Sequence, residues 1–282
     1  VAIAVVANIE THYEEIGAGP PLLMFSPGGF DAQLANWRSH GLYSRTRMLH
    51  QLAERYRCII FDRRESGLSG GRVERITWDA LVAQGIGLLD HLGIRRAHLM
   101  GACVGCSVAA AFAVAHPERV RAIVLYSPAG GPRYRMMQHS RFAAHTAYVA
   151  EYGPAAVVEL ARTTSASFSL DGRVGPWATL LARDDSFARA YAAWPTQTYL
   201  TMVAGLSRLM FDRDTVPGVE PEDLLGLDIP ALIVPGQDAS HALSAARYLQ
   251  ECLPRSEYWD VPLSAQGPDT APARVLKFLE DL

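Results

Sequence analysis

Lysine is almost missing from this chain. Lys277 is the only one, and every other basic side chain is arginine. That bias reflects base composition rather than function. Neither sign of charge dominates: 26 basic residues face 29 acidic ones, for a formal net charge of −3. No basic field therefore calls for nucleic acid or a membrane surface. Cysteine is scarce. Cys58, Cys103, Cys106 and Cys252 are too few for a disulfide scaffold at 282 residues. No apolar run reaches the length of a membrane span. The opening VAIAVVANIE lacks the basic flank and cleavage site of a signal peptide, so a cytoplasmic location is expected. There is no His-x-x-His, no Cys/His cluster, no Gly-rich phosphate loop and no dinucleotide fingerprint, so neither a metal nor a cofactor is expected.

Apolar residues are plentiful. At 49% hydrophobic the chain can bury the core of one α/β domain carrying an insertion. Residues 1–131 read as alternating strands and helices. Strands are expected at Ala4 to Asn8, Thr11 to Ile16, Leu22 to Ser26, Cys58 to Phe61, Ala97 to Met100 and Val120 to Tyr126. Helices are expected at Tyr43 to Tyr56, Trp78 to Leu92 with Thr77 as cap, and Cys106 to Ala115. Residues 132–228 break the alternation and show helical spacing without a convincing strand. Alternation resumes over 229–282: a strand at Ile229 to Pro235, a helix at Ala242 to Leu253, a strand at Tyr258 to Val261 and a helix at Ala273 to Leu282.

The chain is organised around Gly101-Ala102-Cys103-Val104-Gly105, set between a short apolar strand and a small-residue helix. That is the layout of a nucleophile elbow, G-x-nucleophile-x-G. The central residue sits in strained backbone, and its neighbours must be nearly free of side chain for strand and helix to approach. In this layout, order and motif, the chain resembles the α/β-hydrolase superfamily over nearly all its length. The resemblance implies a mostly parallel central sheet flanked by helices. It also implies a core of 1–131 and 229–282 with a helical cap at 132–228. The motif usually carries Ser; here it carries Cys103.

The resemblance also implies roles. A thiol at a helix N-terminus can be held well below its free pKa of about 8.5. Oxyanion donors are expected at the Val104 N–H and at Gly29 or Phe30, within Pro27-Gly28-Gly29-Phe30, where the family commonly has His-Gly. The acid is expected after the Ile229 to Pro235 strand, where Asp238 lies two beyond Gly236. The base is expected before the closing helix, but Gln266 falls there and no His follows His241. Gln takes no proton at neutral pH. His241, three residues after Asp238, and His139 and His145 in the insertion are the candidate replacements. Gln266, His139, His145 and Trp37 are candidate substrate contacts. Asp62-Arg63-Arg64-Glu65-Ser66-Gly67-Leu68-Ser69 matches the family's Asp-x-Arg-Gly-x-Gly-x-Ser except at Glu65, and reads as structural.

The expected function is cofactor-independent hydrolysis of an ester, thioester or activated carbonyl (C–C) bond in a small, largely apolar substrate, through Cys103. A lyase, isomerase or cyclase of a biosynthetic pathway in the same pocket stays open, as does a non-catalytic ligand binder. Cys103 and Cys106 also form C-x-x-C, which leaves a dithiol redox reading. The partner is a small-molecule substrate, and a homodimer is left open.

Overall fold

Long apolar runs make the sheet. Eight strands are formed: β1 (Ala2–Val6), β2 (Ile9–Ile16), β3 (Pro21–Phe25), β4 (Arg57–Phe61), β5 (Ala97–Cys103), β6 (Val120–Pro128), β7 (Ala231–Val234) and β8 (Ser256–Tyr258). The computed structural model describes residues 1–282 apart from Gly71 and Asp214. The strands lie in one sheet in the order β1-β2-β4-β3-β5-β6-β7-β8. Pairing is antiparallel for β1–β2 and β2–β4, and parallel from β4 through β8.

The runs of β3, β4, β6 and β7 are apolar without alternation because both sheet faces are covered. Successive side chains enter opposite layers. Leu23, Phe25, Ile59, Phe61 and Leu99 join one core; Leu22, Met24, Cys58, Ile60 and Met100 join the other. Near the antiparallel edge the pattern changes: Ile9, Thr11 and Tyr13 of β2 are buried between more exposed neighbours.

Helix boundaries follow local chemistry. Thr77 caps Trp78–His91 by accepting from the Ala80 N–H at 3.1 Å, with Asp79 in the first turn. The helix expected over Tyr43 to Tyr56 is instead two short ones, Gly41–Arg45 and Met48–Leu52, because Arg47 turns left-handed at φ 51°. The last strand ends at Tyr258 rather than running on to Val261.

Between β6 and β7 the described elements are helical. Pro132–Thr164 bends at Gly153 (φ 79°) and Pro154, and is followed by Gly172–Val174, Ala178–Arg183, Asp185–Ala192, Thr196–Phe211 and Pro221–Leu225. The parallel strands all end on the same side, so the loops after β3, β4, β5, β6 and β7 share one face of the molecule. In open parallel sheets that face is where ligands bind. There the loops after β6 and β7 are tied together. Gly130, just past β6, forms an isolated parallel bridge with His241. Its N–H donates to Ser240 O at 3.0 Å and its carbonyl accepts from Ala242 N at 3.4 Å.

Candidate active site

The turn at Cys103 needs both its glycines. A side chain on Gly101 would place Cβ 2.4 Å from Gly105 O, and one on Gly105 would place it 2.3 Å from Phe25 O. Helix Gly105–Ala115 can therefore lie against β5 and β3 only if both positions lack a side chain. Cys103 itself holds φ 56°, a left-handed conformation that costs a residue with a Cβ of order 1–3 kcal/mol. The surrounding fold enforces it. The thiol is half-buried, whereas Cys58, Cys106 and Cys252 are buried. Cys106 packs beneath the turn and donates to Gly101 O (3.1 Å) and Tyr126 O (3.5 Å).

The loop after β7 sets Asp238 against His241, and His241 within electrostatic reach of this sulfur. Asp238 is exposed and accepts from the backbone N–H groups of Ser240 (2.8 Å) and His241 (3.0 Å). Its carboxylate also takes the His241 ring, with Nδ1 at 2.8 Å from Oδ1 and 2.9 Å from Oδ2. Nδ1–H is thus committed to the carboxylate. Nε2 is buried with no hydrogen-bond partner among the described residues, and Cys103 is the group it is coupled to electrostatically.

Two backbone features place the ring. The Gly130 bridge docks the loop. Gly236 leaves room where a Cβ would lie 2.3 Å from His241 Cβ.

Proton affinities follow from this packing. Burial opposes the Cys103 thiolate, but the His241 charge and hydrogen bond, with the N–H groups of Val104 and Gly28, outweigh it, and the thiol is held below its ordinary value. Burial likewise opposes the His241 cation, but Cys103 and Asp238 outweigh it, and the imidazole is raised. The Asp238 carboxyl, hydrogen-bonded to His241, is lowered to about 2.

The N–H groups of Val104 and Gly28 favour the thiolate. Gly28 holds φ 126°, where a Cβ would strike Asp31 O at 2.4 Å. Gly29 and Phe30, expected to supply the second oxyanion donor, line the cavity beside the elbow. Val104, Gly28, Tyr134, Phe168, Met210 and Phe211 line it too, around about 70 Å³ of space. Phe30 is locked to the helical insertion by ring contacts with Phe142, Phe168 and Phe211, at centroid distances of 5.7, 5.7 and 6.1 Å.

Four other expected substrate contacts lie elsewhere. Gln266 is 1% exposed and its amide is fully used. Oε1 accepts from Tyr126 Oη at 2.8 Å, and Nε2 donates to Pro235 O (3.2 Å) and Val261 O (3.4 Å). It braces the sheet end and does not line the cavity. Trp37 packs against Tyr43 (5.5 Å) in the core on the other side of the sheet. The His139 ring is engaged by Phe211 O at 3.0 Å. His145 is wholly buried between Arg173 O (2.9 Å) and Tyr199 Oη (2.6 Å), and burial lowers its pKa to about 4. Neither insertion histidine borders the cavity. Gly28 was not among the residues expected at the site, although the double glycine was a visible signal for it.

A family model described as alpha/beta hydrolase fold matches residues 21–171, more than half of the chain. The chain belongs to this family. Among curated relatives of this alpha/beta hydrolase is the 2-hydroxymuconate semialdehyde hydrolase of Pseudomonas sp. (strain CF600), 35% identical over 128 residues, covering 45% of this chain and 42% of the relative. A putative carbamate hydrolase of Stutzerimonas stutzeri (strain A1501) is 27% identical over 68% of this chain and 71% of its own length. The chain spans less than half the length of the first curated relatives it matches. In fold it is similar to a meta-cleavage product hydrolase from Pseudomonas fluorescens IP01, at TM-score 0.65 and 21% identity over 100% of this chain and 98% of that one.

Proposed function

We propose that this chain is a cofactor-independent hydrolase that uses Cys103 as nucleophile, His241 as base and acid, and Asp238 to orient His241. The substrate class is a small, largely apolar ester, thioester or activated carbonyl compound. One observation supports the reading: His241 spends Nδ1–H on Asp238 and leaves Nε2 buried and unengaged, within electrostatic reach of Cys103. That division of its two nitrogens is what a nucleophile–base–orienter relay requires.

The steps follow from the groups present. The thiolate attacks the acyl carbon and forms a C–S bond, and the carbonyl electron pair moves to oxygen. The N–H groups of Val104 and Gly28, at the N-terminal end of helix Gly105–Ala115, stabilise that charge. As the tetrahedral species collapses, imidazolium Nε2–H passes its proton to the leaving group. Neutral His241 then takes a proton from water, whose oxygen attacks the thioester, and Cys103 leaves again as thiolate beside imidazolium. We propose further that residues 132–228 act as a cap, since Tyr134, Phe168 and Phe211 supply the cavity wall opposite the elbow.

A non-hydrolytic lyase or cyclase, or a ligand binder without chemistry, drew its support from a missing base. His241 beside the sulfur removes that reason. The reading is tested with 4-nitrophenyl butyrate and intact-mass detection. Expected are an acyl adduct on Cys103 and at least a 1,000-fold lower kcat in Cys103→Ala, within the range set by loss of a nucleophile. Unchanged turnover in Cys103→Ala would overturn it.

A further inference from the structure

The cavity beside the elbow is not lined by apolar groups alone. Tyr134 and Gln138 stand four residues apart on helix Pro132–Thr164, so they share a face, and both line that cavity. Tyr134 is 5% exposed and Gln138 8%. Yet among the described residues neither the Tyr134 hydroxyl nor the Gln138 amide makes a hydrogen bond to protein. Further along the same helix the polar groups are engaged. Arg141 Nη2 donates to Ser169 O at 3.0 Å, and His145 is held at both ring nitrogens, at 2.9 and 2.6 Å. Buried polar side chains are nearly always hydrogen-bonded, because one left unpaired has given up water for nothing. Two such groups on one helix face, both at one cavity, are completed by a ligand.

The cavity limits what that ligand group can be. Its two unpaired groups are neutral. Burial raises the Tyr134 phenol above its ordinary value, so Oη–H remains a donor at neutral pH, and Gln138 offers N–H donors without charge. The charged residues of the lining, Asp31 and Arg141, are of opposite sign. An anion seated on a phenol and an amide would lack its countercharge. The space is small: about 70 Å³ equals about two waters at about 30 Å³ each, enough for a short acyl tail. Its position is also fixed. Val104 and Gly28 border the same cavity, and Tyr134 is within electrostatic reach of Cys103. A tail seated there meets the phenol within a few bonds of the scissile carbonyl.

Resting on the hydrolase reading above, we propose that Tyr134 and Gln138 are specificity-determining residues that select a short acyl group carrying a neutral oxygen acceptor, an ether, keto or hydroxyl oxygen. Tyr134 Oη–H and the Gln138 amide N–H donate to that oxygen. Phe30, Phe168 and Phe211 pack on the carbon atoms beside it.

The test pairs two esters of equal heavy-atom count that differ by one oxygen for one methylene, 4-nitrophenyl methoxyacetate and 4-nitrophenyl butyrate. Each kcat/KM is divided by the hydroxide rate constant of the same ester, which removes the difference in intrinsic reactivity. The wild type is expected to favour the methoxyacetate by about 5-fold or more on this scale, from one or two neutral hydrogen bonds. Y134F and Q138L should each lower that ratio, and the double variant should bring it to near one. Equal use of both esters by the wild type would overturn the assignment. So would a double variant that slows both esters alike and keeps the wild-type ratio. A ratio that falls in only one single variant overturns the role of the other residue.

A second readout needs no turnover. Methoxyacetamide should protect Cys103 from iodoacetamide at about a 5-fold lower concentration than butyramide in the wild type, and at the same concentration in the double variant. Equal protection by the two amides in the wild type would also overturn the assignment. If Cys103→Ala hydrolyses both esters at wild-type rates, or neither ester is turned over, the hydrolase reading fails and amide protection alone decides on Tyr134 and Gln138. If turnover needs Cys103 and the methoxyacetate has no advantage, the assignment fails alone. Should the double variant not fold, the wild-type ratio and Y134F decide.

Discussion

At the scale of single residues, the proton positions of Cys103 and His241 set what the site can do. The thiol is lowered and the imidazole raised, so the reactive ion pair forms as pH rises through the first value and is lost as it rises through the second. Iodoacetamide labelling of Cys103, followed by intact mass across pH, should reach half its maximal rate below the free-thiol value of about 8.5. In His241→Gln the same titration should move up toward that value, and kcat for aryl esters should fall about 100- to 10,000-fold. A thiol that titrates identically in both proteins would show that His241 does not act on it. Gln266 makes the opposite forecast. Its three hydrogen bonds are internal, so Gln266→Ala should cost about 1–3 kcal/mol in a denaturant titration and leave kcat per folded molecule unchanged.

At the scale of elements, the loop after β7 is what makes the site. Its hold on His241 is steric as much as electrostatic. Gly236→Ala would force Cβ to within 2.3 Å of His241 Cβ, so the loop must shift. Expected are a 10-fold or greater drop in kcat, a Cys103 titration displaced upward and a melting temperature within a few degrees of wild type. The cavity's other wall depends on Phe30, gripped by three phenylalanines of the insertion. Phe30→Ala should raise KM for aryl esters more than it lowers kcat, because the loop backbone stays while its contact with the insertion is lost.

At the scale of the whole molecule, two histidines are buried as neutral rings. His98 and His145 are each lowered to about 4, chiefly by burial. The unfolded chain binds their protons from about pH 6.5 downward. Their contribution to stability is therefore complete above that pH and is lost progressively down to about pH 4. Melting curves recorded between pH 7 and 4 should show that decline, and His145→Phe should flatten it in part.

Much of this architecture was legible in the sequence. The apolar runs of β3 to β7 and the glycines around Cys103 are local signals. The turn at Arg47 was not legible, because nothing in its neighbours demands a left-handed residue. The site divided along the same line. Asp238 and His241 stand three apart in the chain, but their approach to the sulfur depends on Gly130, more than a hundred residues earlier. The engagement of Gln266 by Tyr126 spans 140 residues. The Asp238–His241 loop also carries a consequence for the chain's order. The proposed acid and base share one four-residue stretch, so every group of the proposed relay precedes the last forty residues given. The closing helix Ala271–Glu280 supplies none of these groups but inserts Ala271, Val275, Phe278 and Leu279 into the core beneath the sheet, so removing it should unseat the platform on which the proposed relay stands.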